Sequence, residues 1–115
     1  MPLLNQHSDF GYNKYRNPTM FNCCTNFEVP VWSQFDGLEI APVRDDGNGT
    51  SEPSDDYEAT FYTVYGHFSK DSSVGGGVEA ITDVSTRRLA DTVARTMVQL
   101  ASEQGVAFKH GILHF

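Results

Sequence analysis

Hydrophobic and polar residues alternate most regularly between residues 59 and 84. Residues 59–68 are rich in aromatic and β-branched side chains, which favour strands. Residues 78–84 show the same two-residue alternation, which places successive side chains on opposite faces of a strand. A polar segment ending in Gly75, Gly76 and Gly77 separates the two. The pattern predicts two antiparallel strands joined by a hairpin loop.

The repeat changes to that of a helix after residue 85. One apolar stripe at helical spacing is formed by Leu89, Val93, Met97 and Leu100. Ser85 is the expected N-cap, and Gly105 stands where a left-handed residue commonly follows a helix. The sequence therefore predicts a helix over residues 86–104 and a final strand over residues 106–113.

Together these elements predict a small two-layer α+β sandwich. Its C-terminal β-β-α-β unit covers residues 59–115, with one long helix packed on an antiparallel or mixed sheet. This packing is expected because a helix with one apolar stripe must bury that stripe against another element. The 115 residues have the length of a single domain.

The N-terminal part of the chain is patterned less clearly. Residues 27–43 contain two strand-like pieces, at 27–32 and 38–43. Pro30 in the first piece and Pro42 in the second cannot donate to a strand ladder, so we expect short edge strands. Residues 1–26 are rich in aromatic side chains without a sustained period, and we expect an extended N-terminal arm.

Negative charge is concentrated in one segment of the chain. The net charge is −7, and six of the fifteen acidic residues lie close together. They are Asp45, Asp46, Glu52, Asp55, Asp56 and Glu58. The remaining nine acidic residues nearly balance the eight Lys and Arg residues. Turn-forming residues fill the same segment, so we expect an exposed acidic loop over residues 44–58.

Charge and hydropathy also exclude two kinds of partner. The eight Lys and Arg residues are scattered, so we expect no direct binding of nucleic acid. No run of about 20 apolar residues occurs, so we expect no membrane span. The first residues lack the charged and apolar regions of a secretory signal, and the adjacent Cys23 and Cys24 are unsuited to a disulfide. Both features favour a cytosolic protein.

Several residues could carry chemistry, but their context favours other roles. The three glycines lead into a strand and not into a helix N-terminus, so we interpret them as a turn and not as a phosphate cradle. Cys23 and Cys24 lack a flanking motif for a nucleophile, and we expect buried or incidental thiols. The acidic loop has Ser51 where an EF-hand requires glycine. We therefore expect no calcium site and no cofactor.

Three histidines form the main candidate for a metal centre. His110 and His114 share a face of the predicted final strand, and His67 ends a strand that would lie beside it. Three imidazoles can hold zinc with a water as the fourth ligand. No carboxylate or cysteine stands at a recognisable ligand spacing. A small metal-dependent enzyme therefore ranks last of the three functional hypotheses that the sequence suggests.

The leading hypothesis is a non-enzymatic protein-binding module. The acidic loop would engage a basic surface on a partner protein, because carboxylates can replace phosphate charges there. Small acidic inhibitors that phages and plasmids make against nucleic-acid-handling machinery have this general character. Since aromatic residues are enriched in interfaces, Tyr12, Tyr15 and Trp32 join the six acidic residues as candidate contacts.

Two alternatives are left open. The aromatic residues would instead complete the core of the domain itself, because small domains need most of their apolar groups for folding. The second functional hypothesis is a structural subunit that self-assembles by exchange of the arm or of edge strands. A homo-oligomer is therefore not excluded by the sequence.

Overall fold

The computed structural model describes residues 20–72 and 74–115 as a five-stranded sheet with a helix packed on it. The strands are β1 (Phe35–Asp45), β2 (Ser51–Pro53), β3 (Phe61–Phe68), β4 (Val78–Val84) and β5 (Ile112–His114). The helix α1 (Arg87–Glu103) lies between β4 and β5 in the chain. Two 3-10 turns, Thr25–Phe27 and Trp32–Gln34, precede β1. This architecture confirms the predicted α+β class.

The sheet is mixed, and β1 lies inside it. On one side β1 pairs antiparallel with β3, which in turn pairs antiparallel with β4. On its other side β1 pairs with two short strands, antiparallel with β2 and parallel with β5. It follows that β4 and β5 run in the same direction at opposite edges of the sheet. The helix α1 contacts β1, β3 and β4 as it crosses between them.

The predicted hairpin is confirmed as β3 and β4. Its loop closes with a hydrogen bond of 2.9 Å from the Phe68 N–H to the Gly77 carbonyl. Gly75, Gly76 and Gly77 all have positive φ, between 82° and 119°. Residues with a Cβ rarely adopt this backbone region, which explains why glycine fills all three positions. The triple glycine is therefore a turn.

The helix begins one residue later than the sequence suggested. The N-cap is Thr86 and not Ser85, because the Thr86 hydroxyl accepts the Leu89 N–H at 3.1 Å. Gly105 follows the helix with φ +81°, as expected for a residue that ends a helix.

The helix packs through small residues. Its fully covered positions are Ala90, Val93, Ala94, Met97 and Ala101, whereas Leu89 and Leu100 are only half-buried. The alanines let the helix backbone approach the sheet closely. On the sheet, the apolar layer is built from Leu38, Ile40, Val64 and Ile81, each with no exposed surface. Val93 and Met97 of the predicted stripe therefore lie at the centre of the contact, whereas Leu89 and Leu100 lie at its margin.

The structure corrects the interpretation of residues 27–43. Residues 27–32 form no strand, and residues 38–43 belong to the strand inside the sheet and not to an edge. Pro42 is tolerated because its carbonyl accepts the Ser54 N–H, on the side of β1 away from β3. The Pro42 nitrogen, which carries no hydrogen, faces the same side of β1 as this carbonyl. On that side Pro42 lies between the stretch of β1 that pairs with β5 and the stretch that pairs with β2, so no partner strand requires an N–H there.

The final strand is shorter than predicted. Only Ile112–His114 is extended against β1, because Gly111 with φ +64° turns the chain immediately before it. The Gly111 carbonyl accepts the Leu38 N–H at 2.8 Å, and the Phe115 N–H donates to the Ile40 carbonyl at 2.8 Å. These two bonds fix β5 beside β1.

The outer edge of β4 is covered by the segment that follows residue 19. The Cys23 N–H donates to the Ile81 carbonyl at 3.0 Å. The Asn22 side chain donates to the Asp83 carbonyl at 2.9 Å and accepts the Asp83 N–H at 2.8 Å. One amide side chain thus replaces a neighbouring strand at this position. The remainder of the predicted arm, residues 1–19, lies outside the described residues.

Candidate protein-interaction surface

The predicted acidic loop consists of the β1–β2 hairpin and the chain that leads to β3. We call the six carboxylates of this region the acidic surface: Asp45, Asp46, Glu52, Asp55, Asp56 and Glu58. Asp45 and Ser51 are paired across the hairpin, so residues 46–50 form its turn. The Thr60 N–H returns to the Val43 carbonyl at 2.8 Å, where the chain enters β3. The region is therefore built on the sheet.

One internal cation lies among these carboxylates. Arg44 donates to Glu52 through Nε at 2.9 Å and through a second, short contact from Nη2. Its Nη1 atom donates to Glu58 at 2.7 Å. The hydrogen bonds and charge of Glu52, with the charge of Glu58, raise the pKa of the Arg44 guanidinium. Arg44 thus holds two of the six carboxylates against β1.

A second cation reaches the surface from the helix. Arg87, the first residue of α1, donates to Asp56 through Nη2 at 2.9 Å and through Nε at 3.1 Å. The Tyr62 hydroxyl donates to the same carboxylate at 2.9 Å. The hydrogen bonds from Arg87 and then from Tyr62 hold the pKa of Asp56 below its usual value. The Arg87 guanidinium also lies 5.2 Å from the centre of the Tyr62 ring.

The other three carboxylates are fixed by main-chain donors. Asp45 accepts the Gly47 N–H, Asp55 accepts the Glu58 N–H, and Asp46 accepts two N–H groups of the hairpin turn. In each case the acceptor is Oδ1. Within residues 20–72 and 74–115, the Oδ2 atoms of these three aspartates accept no hydrogen bond. Each aspartate therefore retains one oxygen for an external donor.

The balance of charge in this region is strongly negative. Six carboxylates share two guanidiniums, and Asp45, Asp46 and Asp55 have no ion-pair partner within the described part of the chain. The side chains are nevertheless ordered by their loop hydrogen bonds. Sequence reasoning found the carboxylates but missed Arg44 and Arg87. Arg44 adjoins the acidic run, whereas Arg87 is 31 positions from Asp56 and carries no sequence signal of this contact.

The aromatic candidates do not extend this surface. Trp32 is only 4% exposed and packs in the core, with ring centroids 6.0 Å from Phe21 and 6.2 Å from Phe108. Its predicted role as a partner contact beside the acidic residues is corrected accordingly: the indole completes the core of the domain. Tyr12 and Tyr15, the other two candidates, lie outside the described residues.

The three histidines do not form one cluster. His67 Nδ1 lies 2.7 Å from Asp36, and His110 Nε2 lies 3.7 Å from the same carboxylate. His114 lies elsewhere, with Nε2 3.7 Å from Asp91 at the helix. The separation arises because the final strand is short and the Gly111 turn precedes it, so His110 and His114 do not share a strand face. The candidate three-imidazole centre is therefore not formed.

The described residues form neither a metal-binding cluster nor a membrane-spanning helix. Among residues 20–72 and 74–115, no three His, Cys, Asp or Glu side chains are positioned to hold a metal ion. His67 pairs with carboxylates instead: Nδ1 lies 2.7 Å from Asp36, and Nε2 lies 3.9 Å from Glu39. Over the same ranges, no helix has the length and apolar character needed to cross a bilayer.

The thiols are unsuited to nucleophilic chemistry at neutral pH. Partial burial and the nearby Asp83 carboxylate raise the pKa of Cys23 to about 12. Burial and then the charge of Glu79 raise the pKa of Cys24 as well. Since the thiolate is the reactive form, both side chains stay protonated and poorly reactive.

No protein-family model matches this chain, and neither a curated protein nor a solved structure matches it.

Proposed function

We propose that this chain is a non-enzymatic protein-binding module that presents its acidic surface to a basic surface on a partner protein. The observation that carries this proposal is the hydrogen bonding of the Asp45, Asp46 and Asp55 carboxylates. One oxygen of each carboxylate is fixed by a main-chain N–H, and the other accepts nothing within the described residues. Fixed groups lose little conformational freedom on binding.

The charge pattern favours a partner that otherwise binds nucleic acid. Carboxylates at fixed positions can occupy sites that normally receive phosphate oxygens, and opposite charge speeds the encounter of the two proteins. A cytosolic inhibitor of nucleic-acid-handling machinery, of phage or plasmid type, fits this chemistry. The free thiols of Cys23 and Cys24 are compatible with a reducing compartment.

Capture on the immobilised chain, followed by competition with nucleic acid, tests this proposal. Proteins from the source cells are bound to the chain, identified, and then mixed with a short DNA duplex and a short RNA. The expected result is one captured protein that binds either the chain or the nucleic acid, but not both at the same time. A ternary complex would contradict the mimicry. Failure to capture any protein would contradict the binding surface. Capture that is unchanged when the acidic residues are neutralised would contradict it as well.

A matched pair of variants separates local from overall charge. Asp46→Asn with Asp55→Asn removes two charges of the acidic surface, and the new amide oxygens can still accept the loop N–H groups. Asp71→Asn with Glu79→Gln removes two charges from exposed positions elsewhere. We expect the first pair to weaken partner binding by about tenfold or more, and the second pair by less than about twofold.

A further inference from the structure

A groove lies at the opposite end of the helix from the acidic surface. Residues 29–33 form one wall, and the other wall is formed by Leu100, Glu103, Gln104 and Val106. Its volume is about 520 Å³, within the range of roughly 300–1,000 Å³ that is usual for ligand sites. We propose that this groove, which we call the helix-end groove, binds an extended segment of a partner protein that alternates apolar and basic side chains.

The apolar part of the inference comes from exposed valines. Val29 is 56% exposed and Val31 is 60% exposed, and both line the groove. Phe27, 55% exposed, lies two residues before Val29. Three large apolar side chains thus face solvent within five residues. Contiguous exposed apolar surface of this kind marks binding sites.

The extended form of the occupant is indicated by the backbone of the same wall. Glu28 and Val31 have extended φ and ψ, and residues 28–31 belong to no strand. The main-chain N–H groups of Val29 and Val31 donate no hydrogen bond within residues 20–72 and 74–115. An added extended peptide would accept from these donors, as in other cases of strand addition.

The basic side chains of the occupant are indicated by charge. Glu103 is the charged residue among those that line the groove. The last turn of α1 contains no basic residue, although the negative end of the helix dipole lies there. A Lys or Arg of a bound segment would meet both negative charges. The same charges disfavour a second copy of this chain, whose net charge is −7.

The helix-end groove is independent of the acidic surface. Arg87 contacts Asp56 at the first turn of α1, and Glu103 ends the helix, so the two regions are separated by about 25 Å, at about 1.5 Å per residue. This distance exceeds the screening length of about 8 Å at physiological salt. Neutralising Asp46 and Asp55 should therefore leave binding in the groove unchanged, and either proposal can fail alone.

Trp32 provides the readout. It lines the groove, and it is the one tryptophan of the chain, so its fluorescence reports occupancy without a label. The probe is an eight-residue synthetic peptide of alternating leucine and arginine, compared with leucine–glutamate and serine–arginine peptides. We expect saturable emission changes with the leucine–arginine peptide, at least about tenfold tighter than with the other two.

Variants assign that binding to the groove. We expect Val31→Ser to weaken it by about tenfold and Glu103→Gln by severalfold with a smaller salt dependence. Val74→Ser, at a valine that is 59% exposed but lies in the β3–β4 loop, should leave it unchanged. Both valines are already exposed, so neither change should disturb folding.

Four outcomes would overturn the inference. Equal binding of all three peptides, or no effect of Val31→Ser, would show that the groove does not select this chemistry. A dimer that Val31→Ser converts to a monomer would assign the groove to a second copy. Peptide binding that is seen only after removal of residues 1–19 would assign the groove to those residues as its occupant.

Discussion

The Nη2 atom of Arg87 lies 2.9 Å from Oδ1 of Asp56, which links the first turn of the helix to the acidic loop. The same guanidinium donates to the main-chain oxygen of Phe115 at 2.7 Å. Arg87 therefore joins three separate parts of the chain. It also lowers the pKa of Asp56, a member of the acidic surface.

Replacing Arg87 by Gln should raise the pKa of Asp56 toward the ordinary value of about 3.9. Because the pKa of Asp56 is lower in the folded protein, the contribution of this pair to stability is complete above the unfolded-state pKa. It is lost as the pH falls through the lower folded-state pKa. Carboxyl ¹³C NMR titration measures the shift. Arg88→Gln, at the next and exposed position, is the control and should leave the titration of Asp56 unchanged.

Gly66→Ala should destabilise the fold. A Cβ at position 66 would lie 2.6 Å from ring atoms of Phe35, so the ring would have to move out of the core. Overpacking of this kind costs about 1–3 kcal/mol. Urea unfolding measures the change. Combining Gly66→Ala with Phe35→Leu should cost less than the sum of the two single changes, and strict additivity would contradict the contact.

Thr86→Ala should lower the free energy of unfolding by about 1 kcal/mol, because it removes the oxygen that accepts the Leu89 N–H. Ser85→Ala, one residue earlier, should have an effect below about 0.5 kcal/mol. Thermal and urea unfolding of the two variants compare them directly. A larger loss from Ser85→Ala would place the start of the helix at the residue that the sequence alone suggested.

Cys23 should resist alkylation at neutral pH. With its pKa raised to about 12, iodoacetamide should modify it about a hundredfold or more slowly than in the unfolded chain at pH 8. The rate for the folded chain should keep rising about tenfold per pH unit beyond about pH 9, where the rate for the unfolded chain levels off. Mass spectrometry of Cys24→Ser, with a urea-unfolded sample as the control, isolates the reaction of Cys23. Equal rates in the two samples would show that neither burial nor Asp83 protects the thiol.

Local pattern was sufficient to predict the parts of the fold that have a clear repeat. The β3–β4 hairpin follows from alternation and from three glycines, and α1 follows from its apolar stripe. The position of β1 inside the sheet could not be predicted, because Pro42 indicates an edge. Only the tertiary pairing reveals that Pro42 faces the space between two short strands.

The site was predictable in its charges but not in its contacts. The acidic residues are adjacent in the chain, so composition alone located them. The bonds of Asp56 with Arg87, and of His67 with Asp36, join residues that are 31 positions apart. Such pairs arise from strand order and helix placement. Likewise, an aromatic residue such as Trp32 has the same sequence signal in an interface and in a core.

The salt dependence of partner binding tests the central claim most directly. Affinity for the captured partner is measured between about 0.05 and 0.5 M salt for the unchanged chain, Asp46→Asn/Asp55→Asn and Asp71→Asn/Glu79→Gln. We predict a steep loss of affinity with salt for the unchanged chain and for Asp71→Asn/Glu79→Gln, and a weaker, flatter response for Asp46→Asn/Asp55→Asn. Identical slopes and affinities for all three proteins would contradict a binding surface made of these carboxylates.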